Sequence, residues 1–185
     1  MSATNLTDFC ASLDRLGVGW TRVRWPEVGD AVRKEAVAPV VAAPWPFAEP
    51  PPGWSELPPV EMETLDGEAY SLKGRALQQA RTGVTGAYLA IADYGTIVLR
   101  SDGATEIVSL LPTRHIAVVR APDIAADMVA AFARFGEALR SHSDSLVLAT
   151  GPSATADMGA LVQGAHGPEE VHVIIAGDAP ATRAD

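Results

Sequence analysis

Residues 151–168, GPSATADMGALVQGAHGP, hold the densest set of groups able to act on a ligand. Ser153 and Thr155 bring hydroxyls, Asp157 a carboxylate, and His166 an imidazole of a type that titrates near neutrality. They follow an apolar run at 145–150, SLVLAT, which reads as a buried strand. A short helical pattern comes next. The segment is therefore expected in the crevice beyond the carboxyl end of a parallel strand, where the following helix begins. There Ser153, Thr155 and nearby backbone N–H groups would hold an anion, and Asp157 would orient a donor. The same spacing also serves plain capping, with Ser153 or Thr155 at the N-cap and Asp157 in the first turn against the helix dipole. His166, between Gly164 and Gly167, either bonds the last carbonyls of a helix or works as an acid, a base or an anion donor. Neither a P-loop nor a G-x-G-x-x-G spacing is present.

A second cluster is Thr85, Gly86, Asp93, Gly95 and Thr96. Asp93-Tyr94-Gly95 between two apolar runs is a hairpin signal in its own right. His115 opens an apolar run directly after Arg114. His172 alternates within a strand pattern and reads as packed, whereas His142 lies in a polar loop. No H-x-x-x-H pair or similar spacing points to a metal site. The single Cys10 excludes a disulfide within the chain and a zinc or iron–sulfur site built from its own cysteines. Its helical setting reads as a small core hydrophobe.

These groups need a scaffold, and the apolar periodicities supply one. A first helix is expected over 6–16, with Leu6, Phe9, Cys10, Leu13 and Leu16 on one face and Gly17 beyond its end. A strand over 18–25, a short helix opened by Pro26, and a strand at 39–43 make a β-α-β unit. Residues 44–59, PWPFAEPPPGWSELPP, are irregular, because proline removes donors and blocks helix. They read as a rigid connection pinned by Trp45, Phe47 and Trp54, or as a polyproline partner motif. Residues 71–80 read as helical and 83–86 as a turn. Short strands at 87–92 and 96–99, with a continuation at 106–111, make an antiparallel meander. A strand at 115–120 leads into a helix opened by Pro122 and Asp123, with Ile124, Met128, Phe132, Phe135 and Leu139 at steps of three and four. The loop 141–144, the strand 145–150, a helix and a last strand at 171–176 complete the chain, with a frayed tail over 178–185. The expected class is α/β: one domain over 1–185, a three-layer α/β/α sandwich on a mainly parallel sheet with an antiparallel meander in the middle.

Composition bounds the function. The 185 residues are 48% hydrophobic and 20% charged, ordinary for a globular chain with a sizeable core. A net charge of −9 without a basic run argues against nucleic acid. No apolar stretch reaches the ~20 residues of a membrane span. The first residues lack a basic start and a long apolar centre, so no signal peptide is expected and the cytoplasm is the default location.

Three blocks carry a resemblance: 83–99, GVTGAYLAIADYGTIVL; 109–119, SLLPTRHIAVV; and 151–168. In this order they resemble the LUD domain of the lactate utilization protein C family, closely over the C-terminal half and by pattern before it. That family is similar in fold to the sugar-isomerase and coenzyme A-transferase superfamily. Where it has Glu-Thr-Gly-Thr, this chain has Asp93-Tyr94-Gly95-Thr96, an acid one methylene shorter and a tyrosine in place of a small residue. The family's motif positions fall here on Thr85, Gly86, Asp93, Gly95, Thr96, Pro112, His115, Gly151, Pro152, Ser153, Thr155, Asp157, His166 and Gly167. The resemblance implies catalytic candidates in Asp93, His115, Asp157 and His166. It implies ligand contacts from Thr85, Gly86, Thr96, Gly151, Ser153, Thr155 and Gly167.

It further implies a part in oxidising L-lactate to pyruvate beside two partner subunits that carry iron–sulfur clusters. This chain would hold no cofactor and would bind a small carboxylate or phosphate in a cleft at the strand carboxyl ends. Two other readings stay open: a stand-alone enzyme of the isomerase and transferase type, with Asp93 as nucleophile or base, and a non-catalytic scaffold for the iron–sulfur proteins. Growth on L-lactate, turnover without partners, and an Asp157→Ala variant separate the three.

Overall fold

The structure, a computed structural model, describes residues 3–60, 63–65, 69–71, 75–141, 145–156 and 159–179. Asp157, His142, the 142–144 part of the expected loop and most of the expected tail lie outside the described residues.

In chain order the elements are helix α1 (Ala3–Arg15), strand β1 (Gly19–Arg24), helix α2 (Val28–Glu35), strand β2 (Val40–Ala42), the pair β3 (Glu63–Leu65) and β4 (Ala69–Ser71), helix α3 (Arg75–Gln79), strands β5 (Thr82–Gly86), β6 (Leu89–Ile91) and β7 (Thr96–Ser101), helix α4 (Ala104–Leu110), strands β8 (Arg114–Arg120) and β9 (Ile124–Ala125), helix α5 (Met128–Ser141), strand β10 (Ser145–Thr150), the pair β11 (Ala154–Thr155) and β12 (Val162–Gln163), and strand β13 (Glu170–Gly177). Five strands form a parallel sheet in the order β1-β13-β8-β5-β2. A second sheet has the order β10-β7-β6-β9, with β7 antiparallel to both its neighbours.

The runs IAVV and VIIA are apolar at every position because β8 and β13 are central and buried on both faces. On one face Ile116, Val118, Ile174 and Ala176 pack with Val28 and Val32 of α2 and with Trp54 and Leu57. On the other, Ala117, Val119, Val173 and Ile175 pack with Leu6, Phe9 and Leu13 of α1 and with Ile97 and Leu99 of β7. The far side of the second sheet, Leu89, Ile91 and Val98, packs with Ala131 and Phe135 of α5. The fold is α/β, a mainly parallel central sheet with helices on both faces, and the β6–β7 hairpin is the antiparallel excursion.

Several local expectations are corrected. Residues 83–86 are not a turn but most of central strand β5. A Cβ on Gly83 would stand 1.9 Å from the Val108 carbonyl oxygen, and one on Gly86 2.6 Å from the Trp45 ring. These glycines answer to packing rather than to chain reversal. Residues 106–111 do not continue the meander, because 104–110 form α4. The turn before α4 is its cap, with Asp102 Oδ1 accepting the Thr105 N–H at 2.7 Å. The long helix starts at Met128 rather than at Pro122, with Asp127 Oδ1 accepting the Ala130 N–H at 2.7 Å. Residues 121–123 are a 3-10 turn, and Ile124 and Ala125 pair with β6. Of the helix expected over 71–80, the described residues form helix at Arg75–Gln79, and 69–71 is strand.

The largest correction concerns 145–168. Strand β10 is an edge strand, antiparallel to β7 and partly exposed rather than buried. The described part of 151–168 forms the small β11–β12 hairpin where a helix was expected.

Candidate functional site

A cleft of about 270 Å³ opens between the two sheets. Ile97 of β7 and Val147, Ala149 and Thr150 of β10 form one wall. Ser109 and Leu110, at the end of α4, form another. His115 and Val171, the second residues of β8 and β13, form the floor. The loops at 151–154 and 166–168 close the rim. The cleft thus lies at the amino ends of the parallel strands. Among its strands only β10 presents a carboxyl end there, which corrects the expected location.

The rim is built from Ser153 outward. Gly151, with φ of +71°, turns the chain out of β10 beside Leu16. The Ser153 N–H donates to the Pro168 carbonyl at 2.9 Å, and its carbonyl accepts the Gly164 N–H at 2.9 Å. Its Oγ accepts the His166 N–H at 3.2 Å, which leaves the hydroxyl proton for another acceptor. A Cβ on Gly167 would lie 3.3 Å from Ser153 Cβ, so the two limbs touch. The His166 side chain is exposed at this rim.

The floor is dry. His115 is 2% exposed, and its Nε2 lies 2.8 Å from Thr85 Oγ1. Burial pushes its pKa down to about 4, so the ring is neutral at physiological pH. Thr96 does not line the cleft but holds Thr150, which does, through a 2.8 Å hydroxyl pair.

A second cavity of about 330 Å³ shares Leu110, His166 and Gly167 with the first and adds Leu111, Pro112, Thr113, Gly164, Ala165 and Glu169. Among the described residues no lysine or arginine lines either cavity.

The structure therefore brings together His115, Gly151, Ser153, His166 and Gly167, with Thr85 and Thr96 one contact behind. It does not bring Asp93 there. That side chain is exposed in the β6–β7 turn, and its backbone carbonyl accepts from Ser12 Oγ and Arg15 Nη2, both at 3.1 Å. The turn is where α1 docks. Gly86 sits under Trp45, and Thr155 pairs with Val162 in the hairpin. Neither lines the cleft. Sequence reasoning missed Ser109, Thr150 and the apolar wall of Ile97, Val147, Ala149 and Val171. Ser109 stood at the head of the block SLLPTRHIAVV, whereas the apolar wall carries no signal distinct from ordinary core.

The third of the described histidines is structural. His172 bonds Thr21 Oγ1 at 3.0 Å on the α2 face, 3.8 Å from Glu35 Oε2, and burial is the main cause lowering its pKa. Cys10 is partly buried against the core, and burial raises its thiol. Among the described residues no group of three or more His, Cys, Asp or Glu side chains is placed to hold a metal. No described helix is long and apolar enough to cross a membrane.

A family model of the LUD domain matches residues 53–176, more than half of the chain. The chain belongs to the LUD domain family. This LUD chain is 36% identical over 127 residues to lactate utilization protein C of Deinococcus radiodurans, covering 64% of this chain and 56% of that protein. It is 35% identical over 124 residues to lactate utilization protein C of Geobacillus sp., covering 64% and 52%. It spans about half the length of the curated relatives it matches. The crystal structure of a DUF162 family protein from Deinococcus radiodurans superposes with a TM-score of 0.67 over 96% of this chain and 99% of that one, at 24% identity. The fold is thus shared across the N-terminal part that the family model leaves out.

Proposed function

We propose that this LUD chain acts in lactate utilization and binds a small monocarboxylate in the cleft between its two sheets. The observation that carries this is the convergence of the family's His115, Gly151, Ser153, His166 and Gly167 on one cleft, in a chain whose relatives are named lactate utilization protein C. The volume suits a ligand of a few heavy atoms. Val147, Ala149 and Val171 offer apolar surface for a methyl group in the cleft that Ser153 also lines. A carboxylate carries one charge that neutral donors can satisfy. A phosphate dianion, taken out of water with no cation in the described lining, is the poorer fit.

The oxidation itself belongs, in this reading, to partner subunits with iron–sulfur clusters. The one cysteine of this chain supports that division, because such clusters take several thiolate ligands.

Deleting the gene in a strain with no second copy tests the role. Loss of growth on L-lactate is expected, and normal growth overturns it. Calorimetric titration of the purified chain tests the ligand. Pyruvate or L-lactate should bind better than inorganic phosphate, and the reverse order overturns the monocarboxylate reading.

A further inference from the structure

The hydrogen bond on the cleft floor has a direction, and the surroundings decide it. Nε2 of His115 and Oγ1 of Thr85 lie 2.8 Å apart, both buried. Either the ring N–H donates to the hydroxyl, or the hydroxyl donates to the bare ring nitrogen. In the first arrangement the Thr85 hydroxyl proton has no acceptor, because Oγ1 has no second partner among the described residues. A buried donor left without an acceptor is penalised. In the second arrangement the pair is satisfied, and the proton of the neutral ring sits on Nδ1. That atom bonds no described group. Yet it is not among the fully enclosed unpaired side-chain atoms, which among the described residues are Trp45 Nε1 and Arg114 Nε. His115 lines the cleft, so Nδ1 is the ring nitrogen open to it.

We infer that Thr85 is a positioning residue that holds His115 as the Nδ1–H tautomer, so that the cleft floor presents one neutral N–H donor to a carboxylate or keto oxygen of the ligand. The ligand half of this rests on the monocarboxylate reading above; the tautomer half does not. The inference also accounts for a described lining without lysine or arginine. A fixed N–H on the buried floor of a cleft is a strong partner for one acceptor oxygen, and its orientation is set before the ligand arrives. Thr85, expected as a ligand contact, acts through His115 instead.

Long-range proton–nitrogen correlation spectra of the ligand-free wild-type protein near neutral pH read the tautomer directly. His115 is assigned through its ring-to-backbone connectivity, so no variant has to fold. A protonated Nδ1 with a bare Nε2 is expected, and a protonated Nε2 overturns the inference. Pyruvate is then titrated in. The Nδ1 signals should move, and Thr85→Ser should keep most of the affinity while Thr85→Val loses about tenfold, the value of one well-placed hydrogen bond. Pyruvate that binds without moving the His115 ring overturns the donor role alone. Failure of both pyruvate and L-lactate to bind overturns the cleft reading and the ligand half with it, and leaves the tautomer as a separate result.

Discussion

The two ends of the parallel sheet are built in opposite ways. At the carboxyl ends, where open α/β sheets commonly place their ligands, the chain fills the space itself. Trp25 follows β1 and meets Trp45 edge-on at 5.7 Å. Trp45 also covers Gly86 at the end of β5, and Trp54 Nε1 donates to the Ala43 carbonyl just past β2. Phe47 lies 3.5 Å below the guanidinium of Arg120, the last residue of β8. That guanidinium is 4% exposed and shares the equally buried Asp123 with Arg134. The proline-rich segment is thus a plug pinned by aromatic contacts and a cation–π pair. At the amino ends, by contrast, Ser153, His115 and His166 face an open cleft with donors to spare. A buried ion pair is spent on structure at one end, whereas the described lining of the cleft at the other holds no Asp, Glu, Lys or Arg side chain.

Changes at the plugged end should cost stability and spare the cleft. The largest effect is expected for Asp123→Ala, which strips a buried arginine of its carboxylate. Denaturant unfolding should show a loss of about 3–5 kcal/mol, with unchanged pyruvate affinity in the folded fraction. Acid comes next. The pKa of His115 falls from 6.5 in a free side chain to about 4 in the fold. Between those values the unfolded chain binds a proton that the folded chain refuses, so stability drops as pH falls through this window, by up to ~3 kcal/mol. The slope should flatten in His115→Asn, measured by denaturation at a series of pH values. Gly86→Ala places a methyl group 2.6 Å from Trp45 ring atoms. It should cost about 1–3 kcal/mol and again leave binding alone. The smallest effect on stability, under ~1 kcal/mol, is expected for Ser153→Ala at the half-exposed rim, yet this variant should weaken pyruvate binding about fivefold. If Gly86→Ala weakens binding more than Ser153→Ala does, the contrast between the two ends fails.

Much of this was legible in the residues. The apolar runs of β8 and β13, the stripe of α1 and the helix opened near Pro26 follow from local periodicity alone. The weight placed on Ser153 and His166 came from their types within one short segment, and that on His115 and Asp93 from the family resemblance. What was hidden depends on contacts far apart in sequence. Gly83 and Gly86 read as a turn because nothing local reveals that a helix carbonyl and a tryptophan ring press on them. The pattern SLVLAT reads as a buried strand, but only its pairing with β7 makes it an antiparallel edge. That same pairing swings 151–168 to the amino ends of the main sheet, away from the expected crevice. The hydrogen bond between Thr85 and His115 joins two strands thirty residues apart. Asp93 looked chemical because it is acidic and stands in a family motif, but its backbone carbonyl is what meets α1.

The central claim is that the ligand site of this LUD chain is the cleft between the sheets and not the carboxyl-end crevice. Backbone amide shifts followed during pyruvate titration test it most directly. Movement should concentrate on Ser109, His115, Gly151, Ser153, His166 and Gly167. Movement centred instead on Trp45, Gly86 and Arg120 would contradict the account.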